Sequence, residues 1–397
     1  MTSRTLRKLT LLGTLYFAQG LPYGFLQVVM PVELRQKHWD LDKIGFIALL
    51  YLPWAFKFVW APLLDRVWWR RLGRRRTWIL AMQLAGIVTL GGLALTGNTS
   101  VPLLLGATFA LNLVAATQDI ATDGLGVELL DDDERGLANG LQVGAYRFGM
   151  FIGGGLLLEF ADRLHQAGMF GVLAALTVLA SLPVALSPEP PLPPKPPAGS
   201  SGARHFLGRP GVWPLIVLLL VYKAGESFVS GVQKPFLVDQ GLSLTEIGRL
   251  TGMVGSGLAG IGGAMFGGWL VSLMGRRRAL VVFGLGQAVA IGGYIYLAAS
   301  PPTTFELYLV CSVETFASGA ATATLFTCMM DWSERFSSGT DYTVQASTVV
   351  IAQIGFGMLG AFSAQAFGYL HHFVIGTVLC AVAVVLAYAL FPKERRS

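Results

Sequence analysis

SPEPPLPPKPPAGSSGARHFLGRPG, residues 187–211, is the stretch that decides how this chain folds. Proline at this density removes backbone donors and keeps the chain extended, so the segment reads as a semi-rigid connector. It falls near the middle of 397 residues. Working outward, six apolar spans precede it: 9–30, 43–62, 77–96, 101–122, 136–158 and 167–187. Six follow: 211–232, 245–271, 279–299, 304–329, 343–366 and 373–391. A helix needs about 20 apolar residues to cross the hydrocarbon of a bilayer. The chain is 53% hydrophobic and 13% charged, with a mean hydropathy of +0.59. A soluble domain carries about a quarter charged residues. The expected fold class is therefore an all-α membrane protein of 12 transmembrane helices.

The two sides of the connector repeat one another. Pro31, Ile44-Gly45, Gly73 to Arg76 and Glu134-Arg135 recur as Pro235, Ile247-Gly248, Gly275 to Arg278 and Glu334-Arg335, at offsets of 204, 203, 202 and 200. Four matches in order, with a slowly drifting offset, indicate an internal duplication. Two parallel six-helix bundles with pseudo-two-fold symmetry follow, as in the major facilitator fold. The expected divisions are a bundle over 1–187, a linker over 188–210 and a bundle over 211–397.

The net charge of +6 is an effect of topology. With the N-terminus in the cytosol, 20 of the 29 Lys and Arg residues fall on cytosolic segments, 6 on the opposite side and 3 inside spans. That excess places both termini in the cytosol by the positive-inside rule, and it argues against a nucleic-acid partner. The first span is too long for a signal-peptide core and is read as retained. Cys311, Cys328 and Cys380 lie within spans and read as packed thiols. The five histidines are expected in loops or at helix ends, with no metal-ligand spacing, and no metal or cofactor is expected.

Ionisable side chains inside a membrane cost about 2.5–3.5 kcal/mol each on insertion scales, so their placement is informative. Lys223 and Glu226 interrupt LLLVYKAGESFV, residues 218–229, and share a helix face. One reading has them only neutralise each other; the other has their face line a polar cavity. Arg147 sits mid-span and Glu314 well inside span ten. Asp119 and Asp123 are expected to close the cytosolic end of span four. Span one carries Tyr16, Gln19, Tyr23 and Gln27, and the two tyrosines offer stacking surface. Spans one, four, seven and ten line the cavity in a two-bundle architecture, and each carries polar groups here. The substrate-binding set is thus Tyr16, Gln19, Tyr23, Gln27, Arg147, Lys223, Glu226 and Glu314. The proton-coupling set is Asp119, Asp123, Glu226 and Glu314. Lys57 is expected to snorkel from the end of span two.

APLLDRVWWRRLGRRRTW, residues 61–78, carries a cytosolic latch of Asp65, Arg66, Gly73, Arg74 and Arg75. A carboxylate there can pair with arginine or face a helix N-terminus. GSGLAG, residues 255–260, matches a nucleotide-binding glycine pattern. It lies inside an apolar span without a preceding strand, so its glycines are read as helix-packing positions, like Gly153-Gly154-Gly155 and Gly267-Gly268.

Six pieces together, YFAQGLPYGF, LPWAFKFVWAPLLDR, ATQDIATDG, ERGLANGLQVGAYRFGM, VYKAGESF and GRRRALVVFGLGQ, resemble the AmpG-type permeases of the major facilitator superfamily. The resemblance implies an importer of the bacterial inner membrane, driven by the proton gradient. Its best-known members carry anhydromuropeptides. Those permeases are often longer, and CMMDWSERFSSGTDYTVQAS, residues 328–347, looks more like the related siderophore importers. The expectation is therefore a proton-coupled secondary transporter for a bulky polar solute, a siderophore first and an anhydromuropeptide as the alternative. A non-transporting receptor or scaffold is a further alternative. The expected partners are a small-molecule substrate, protons and membrane lipid, and the chain is expected to act as a monomer. With no histidine expected deep in a span, no enzymatic constellation is expected.

Overall fold

The structure is a computed structural model, and it describes residues 3–30, 50, 52–96, 100–188, 202–242, 244–251 and 257–391. Pro31, Ile44-Gly45, His38, Gly255 and part of the connector lie outside the described residues. Among the described residues all regular structure is helical. In chain order the helices are α1 Ser3–Gly24, α2 Leu52–Phe56, α3 Ala61–Arg66, α4 Arg74–Leu95, α5 Val101–Leu129, α6 Arg135–Met150, α7 Leu157–Glu159 and α8 Ala161–Leu186. There follow α9 Ala203–Leu207, α10 Val212–Tyr222, α11 Ala224–Asp239, α12 Leu244–Thr251, α13 Leu258–Met274, α14 Arg276–Ala299, α15 Thr304–Asp331 and α16 Ser338–Leu390. Eight stretches among the described residues are long and apolar enough to cross a membrane. α13 is a shorter apolar helix, and the expected spans 43–62 and 245–271 fall partly outside the described residues.

Contacts divide the chain into two compact units. Unit 1 is Met1–Asp131, Ala145–Ala203 and Met330–Val344; unit 2 is Asp132–Gly144, Arg204–Met329 and Gln345–Ser397. The core of unit 1 joins α1, α4, α5 and α8 through Leu21, Phe25, Leu90, Leu111, Phe170 and Leu173. That of unit 2 joins α11, α14, α15 and α16 through Phe228, Phe236, Ile291, Tyr294, Leu307 and Phe373. Large apolar side chains also cover the outside, with Leu95 91% and Val289 77% exposed. Lipid is as apolar as leucine, so cohesion comes from close packing and polar bonds. In unit 1 a Cβ on Gly20 would overlap the Tyr146 carbonyl, and one on Gly153 would overlap that of Leu21. These absent side chains let α1 touch α6 and the π-helical turn Phe151–Leu156 backbone to backbone.

The duplication is visible in the backbone. Gly73 (φ 97°, ψ 167°) and Gly275 (φ 83°, ψ 156°) each precede an arginine-led helix, in a conformation that a Cβ disfavours. The helical stretches of α8 and α16 break at His165 (φ 52°, ψ 174°) and Gly368 (φ 74°, ψ 169°), 203 residues apart. At the first of these the position carries a side chain where its counterpart is glycine. Such a conformation costs a non-glycine residue about 1–3 kcal/mol. Glycine there loses about 0.5–1 kcal/mol in added chain entropy. His165→Gly is therefore expected to raise stability by about 1 kcal/mol, read as a higher thermal midpoint in detergent; a lower midpoint would show that the imidazole makes a compensating contact.

Candidate functional site

Among the described residues, three buried clusters of charged side chains sit between these apolar helices, two in unit 1 and one in unit 2. The first is built on α5. This helix runs on to Leu129, so Asp119 and Asp123 lie inside it and not at its end, contrary to the expectation from the sequence. They are i and i+4 and share a face. Trp54 donates Nε1–H to Asn112 Oδ1 (3.1 Å), and Trp60 donates to Thr117 Oγ1 (3.2 Å). These two bonds lay the segment 54–60 along α5 and bring Lys57 onto the carboxylates. Lys57 is 2% exposed, pairs with Asp119 and stands 4.0 Å from Asp123. It does not snorkel: two acceptors on the neighbouring helix replace the water it would otherwise seek. Tyr16 is likewise buried, and its hydroxyl donates to Asp123 Oδ1 at 2.7 Å. It is a hydrogen-bond donor here and not an open stacking surface. Gln19 Nε2 donates to Thr122 Oγ1 at 3.2 Å.

Tyr23 lies half-buried, with Trp54 edge-on at 6.4 Å and Tyr146 at 5.6 Å. Gln27 is exposed and donates to the Tyr23 hydroxyl at 3.3 Å. Arg147, next to Tyr146 on α6, is half-buried. A small recess in unit 1 is lined by Gln19, Tyr23, Trp54, Thr108 and Asn112 against Leu173.

The second cluster, in unit 2, is built on a helix break. The 218–229 stretch, read as one span, is α10 and α11 joined at Lys223 (φ −100°, ψ 6°). Lys223 is 2% exposed, pairs with Glu226 and donates to Thr322 Oγ1 at 3.0 Å. Ser318 donates to Glu226 Oε1 at 2.7 Å, and Gln287 Nε2 donates to Oε2. Glu314, one turn before Ser318 on α15, is half-buried and accepts from the Thr315 hydroxyl at 3.4 Å. Nearby in unit 2, His372, four residues past the break at Gly368 in α16, is fully buried and stacked on Phe228 at 4.7 Å.

The two clusters share one motif. Gln19 on Thr122 and Lys223 on Thr322 are related by the offsets 204 and 200 found in the sequence. Each threonine in turn donates one turn back, to the carbonyl of Gln118 (3.0 Å) or Ser318 (2.7 Å). The duplicated scaffold thus offers the same slot twice, filled by an amide in one copy and an ammonium in the other.

The third cluster gathers the arginine loop. Arg75 is fully buried and donates to Asp65 Oδ1, to Glu128 Oε1 and to Ser338 Oγ, each at 2.7 Å. Arg74 donates to Glu128 Oε1 at 2.6 Å and to the carbonyls of Phe336 (2.9 Å) and Arg335 (3.1 Å). Asp65 Oδ2 accepts from the Thr340 N–H (2.9 Å) and hydroxyl (2.5 Å), in the first turn of α16. Two arginines thus meet two carboxylates, and a helix N-terminus adds donors. Gly73 starts α4 and sets both arginines; Arg66 is exposed. Glu128, Ser338 and Thr340 were not singled out by the sequence, although Glu128 lies on the same helix as Asp119 and Asp123. By contrast Asp131, outside the spans, is mostly exposed, and the 2.9 Å bond from Lys8 holds its carboxyl below the usual range. Asp131→Asn is expected to cost under about 1 kcal/mol in thermal stability, and a larger loss would mean the contact is less solvated than its exposure indicates.

The description "Major Facilitator Superfamily" belongs to a family model that matches residues 12–354 and again 224–397. The chain is 28% identical over 378 residues to the "Anhydromuropeptide permease" of Escherichia coli (strain K12), covering 93% of this chain and 77% of that one. It is 32% identical over 413 residues, 98% and 96% of the two chains, to a Haemophilus influenzae protein described as "Uncharacterized protein". Its fold matches the solved structure of the proton:xylose symporter XylE with a TM-score of 0.75 at 15% identity, over 98% of this chain and 95% of that one. The helical architecture, the duplicated polar slot and these matches agree: the chain belongs to the Major Facilitator Superfamily, and within it is similar to the AmpG-type permeases.

Proposed function

We propose that this transporter imports anhydromuropeptides across the bacterial cytoplasmic membrane in symport with protons. The observation that carries this reading is the similarity to the E. coli anhydromuropeptide permease across nearly the whole chain. It moves the muropeptide ahead of the siderophore, which rested on the greater length of many muropeptide permeases and on residues 328–347. The local geometry of that stretch has another use, since Arg335 to Thr340 bond to Arg74, Arg75 and Asp65.

A muropeptide joins sugar rings to a peptide with free carboxylates. Lys223 and Arg147 are suited to the carboxylates, and the rings of Tyr23 and Trp54 to a sugar face. Arg147 keeps its charge at every working pH, while Lys223 can exchange Glu226 for a substrate carboxylate. In this reading the sequence bundles 1–187 and 211–397 alternate access to the substrate, the 188–210 linker tolerates the motion, and the Asp65–Arg75 cluster latches one of the two states. Both termini are cytosolic and the monomer is the working unit.

The test is uptake into proteoliposomes loaded with unlabelled solute, using a labelled anhydromuropeptide and, in parallel, a labelled ferric siderophore. Muropeptide exchange that collapses with a protonophore only when uphill supports the proposal. Exchange of the ferric chelate alone would replace it with the siderophore reading. No exchange of either would leave a receptor or scaffold.

A further inference from the structure

Charge counting separates the buried clusters. Around Arg75, two cations meet two carboxylates. At Lys223 the ammonium is matched by Glu226, with the half-buried Glu314 a turn away from its Ser318 partner. At Lys57 two carboxylates on buried residues share a single ammonium. Among the described residues the groups facing them are Lys57 from the turn Lys57–Val59 and Tyr16 from α1, with Tyr342 from α16 close enough to act on Tyr16 and Arg75 from α4 packed against Gly124, next to Asp123. Arg75 is matched by Asp65 and Glu128, so none of these supplies the two aspartates with a second positive charge. An uncompensated buried charge is expensive, and a carboxylate so placed neutralises instead.

Two geometric details say which carboxylate. Lys57 stands against Asp119 and 4.0 Å from Asp123, as it would if only Asp119 were ionised. Asp123 is the deeper of the two, at 2% exposed. A second observation marks the same place. Gln19 is 2% exposed, its nitrogen is held by Thr122 on the turn between the carboxylates, and its Oε1 is buried without a donor. The cluster therefore lacks both one positive charge and one hydrogen-bond donor.

We infer that Asp123 carries one exchangeable proton, and that Lys57 is the arm that moves from Asp119 toward Asp123 when that proton leaves. Protonated, Asp123 is neutral and Lys57 belongs to Asp119. Deprotonated, Asp123 gains a negative charge, the proton passes to water, and the ammonium of Lys57 bridges both carboxylates. No further reactant is needed. A metal cation fits less well, because Lys57 already occupies the position between the oxygens. Lys57 is thus a positioning residue, acting through Asp123. The inference rests on the symport reading only for its consequence in transport.

The experiment is infrared difference spectroscopy of the purified full-length protein in lipid across a pH titration, without substrate. One carbonyl band of a protonated carboxylic acid, sensitive to deuterium exchange, is expected; it is absent in Asp123→Asn and retained in Asp119→Asn. In Lys57→Gln the band should persist to a pH about one unit or more higher, because the cation that favours the ionised form is gone. A merely structural lysine would leave that midpoint in place. In proteoliposomes, Asp123→Asn should lose solute-driven proton flux. A band unchanged in Asp123→Asn, lost only in Glu226→Gln, or removed by sodium at fixed pH would overturn the inference. Infrared results as expected with no muropeptide exchange would leave the proton site standing and reject the substrate instead.

Discussion

Arg75→Met is expected to be the most damaging single change in this protein, costing about 3–5 kcal/mol, the range for breaking a buried ion pair by removing one partner. Arg75 is fully buried and donates at three points, to Asp65, Glu128 and Ser338. Methionine fills much of the volume, so packing is not the main loss. What remains is Asp65 held by Thr340 alone and Glu128 held by Arg74 and Ser338. Lysine keeps the charge but cannot reproduce a three-way fork, so Arg75→Lys should fall between wild type and Arg75→Met. Asp65→Asn should cost less than Arg75→Met, because Arg75 keeps Glu128 and the amide oxygen can still accept from Thr340. The check is the midpoint of thermal unfolding in detergent for the three variants. The reverse order of Asp65→Asn and Arg75→Met would refute the assignment of Arg75 as the hub.

The second large effect is at Lys223. Glu226→Gln takes the carboxylate from an ammonium that is 2% exposed and leaves it the neutral Thr322 hydroxyl, and Lys223→Gln leaves a carboxylate that still has Ser318 and Gln287. The first should therefore be the less stable. Lys223→Gln has a precedent inside the molecule, since Gln19 already occupies the matching slot on Thr122. The double variant Lys223→Gln/Glu226→Gln restores neutrality and should recover most of the stability, with a positive coupling in a double-mutant cycle. Transport should not recover with it. Losing a buried, hydrogen-bonded charge partner typically costs binding about 2–5 kcal/mol. At about 1.4 kcal/mol per tenfold, the proposed muropeptide exchange should fall by about 30-fold or more in both Lys223→Gln and the double variant. Stable protein with wild-type exchange in the double variant would show the pair to be structural ballast, and would remove Lys223 from the substrate site.

Much of this was readable before any coordinates. Apolar runs of about 20 residues determine helices in lipid, because an unpaired backbone group there is too costly for anything else. The duplicated GRRR, the ordered offsets and the central prolines determined a repeated bundle. A lone charge in such a run marks a polar site, for the same reason of solvation cost. That logic singled out Lys223, Glu226, Asp119 and Asp123, and the loop arginines. It did not reveal partners. Lys57 reads as a snorkelling residue until Trp54 and Trp60 are seen to hang its segment on α5, 58 and 57 residues away in the chain. Tyr16 reads as ring surface until its hydroxyl meets Asp123 across 107 residues. Asp119 and Asp123 read as a helix end because polar residues dilute the pattern, yet α5 continues to Leu129, where Glu128 joins the arginines.

The sequence by itself determined which residues could not face lipid, since that follows from each side chain's own solvation. Only the tertiary structure decided what each of them faces instead. Helical periodicity sets the side of a helix a residue occupies, and the identity of its neighbour is set by the packing of helices far apart in the chain.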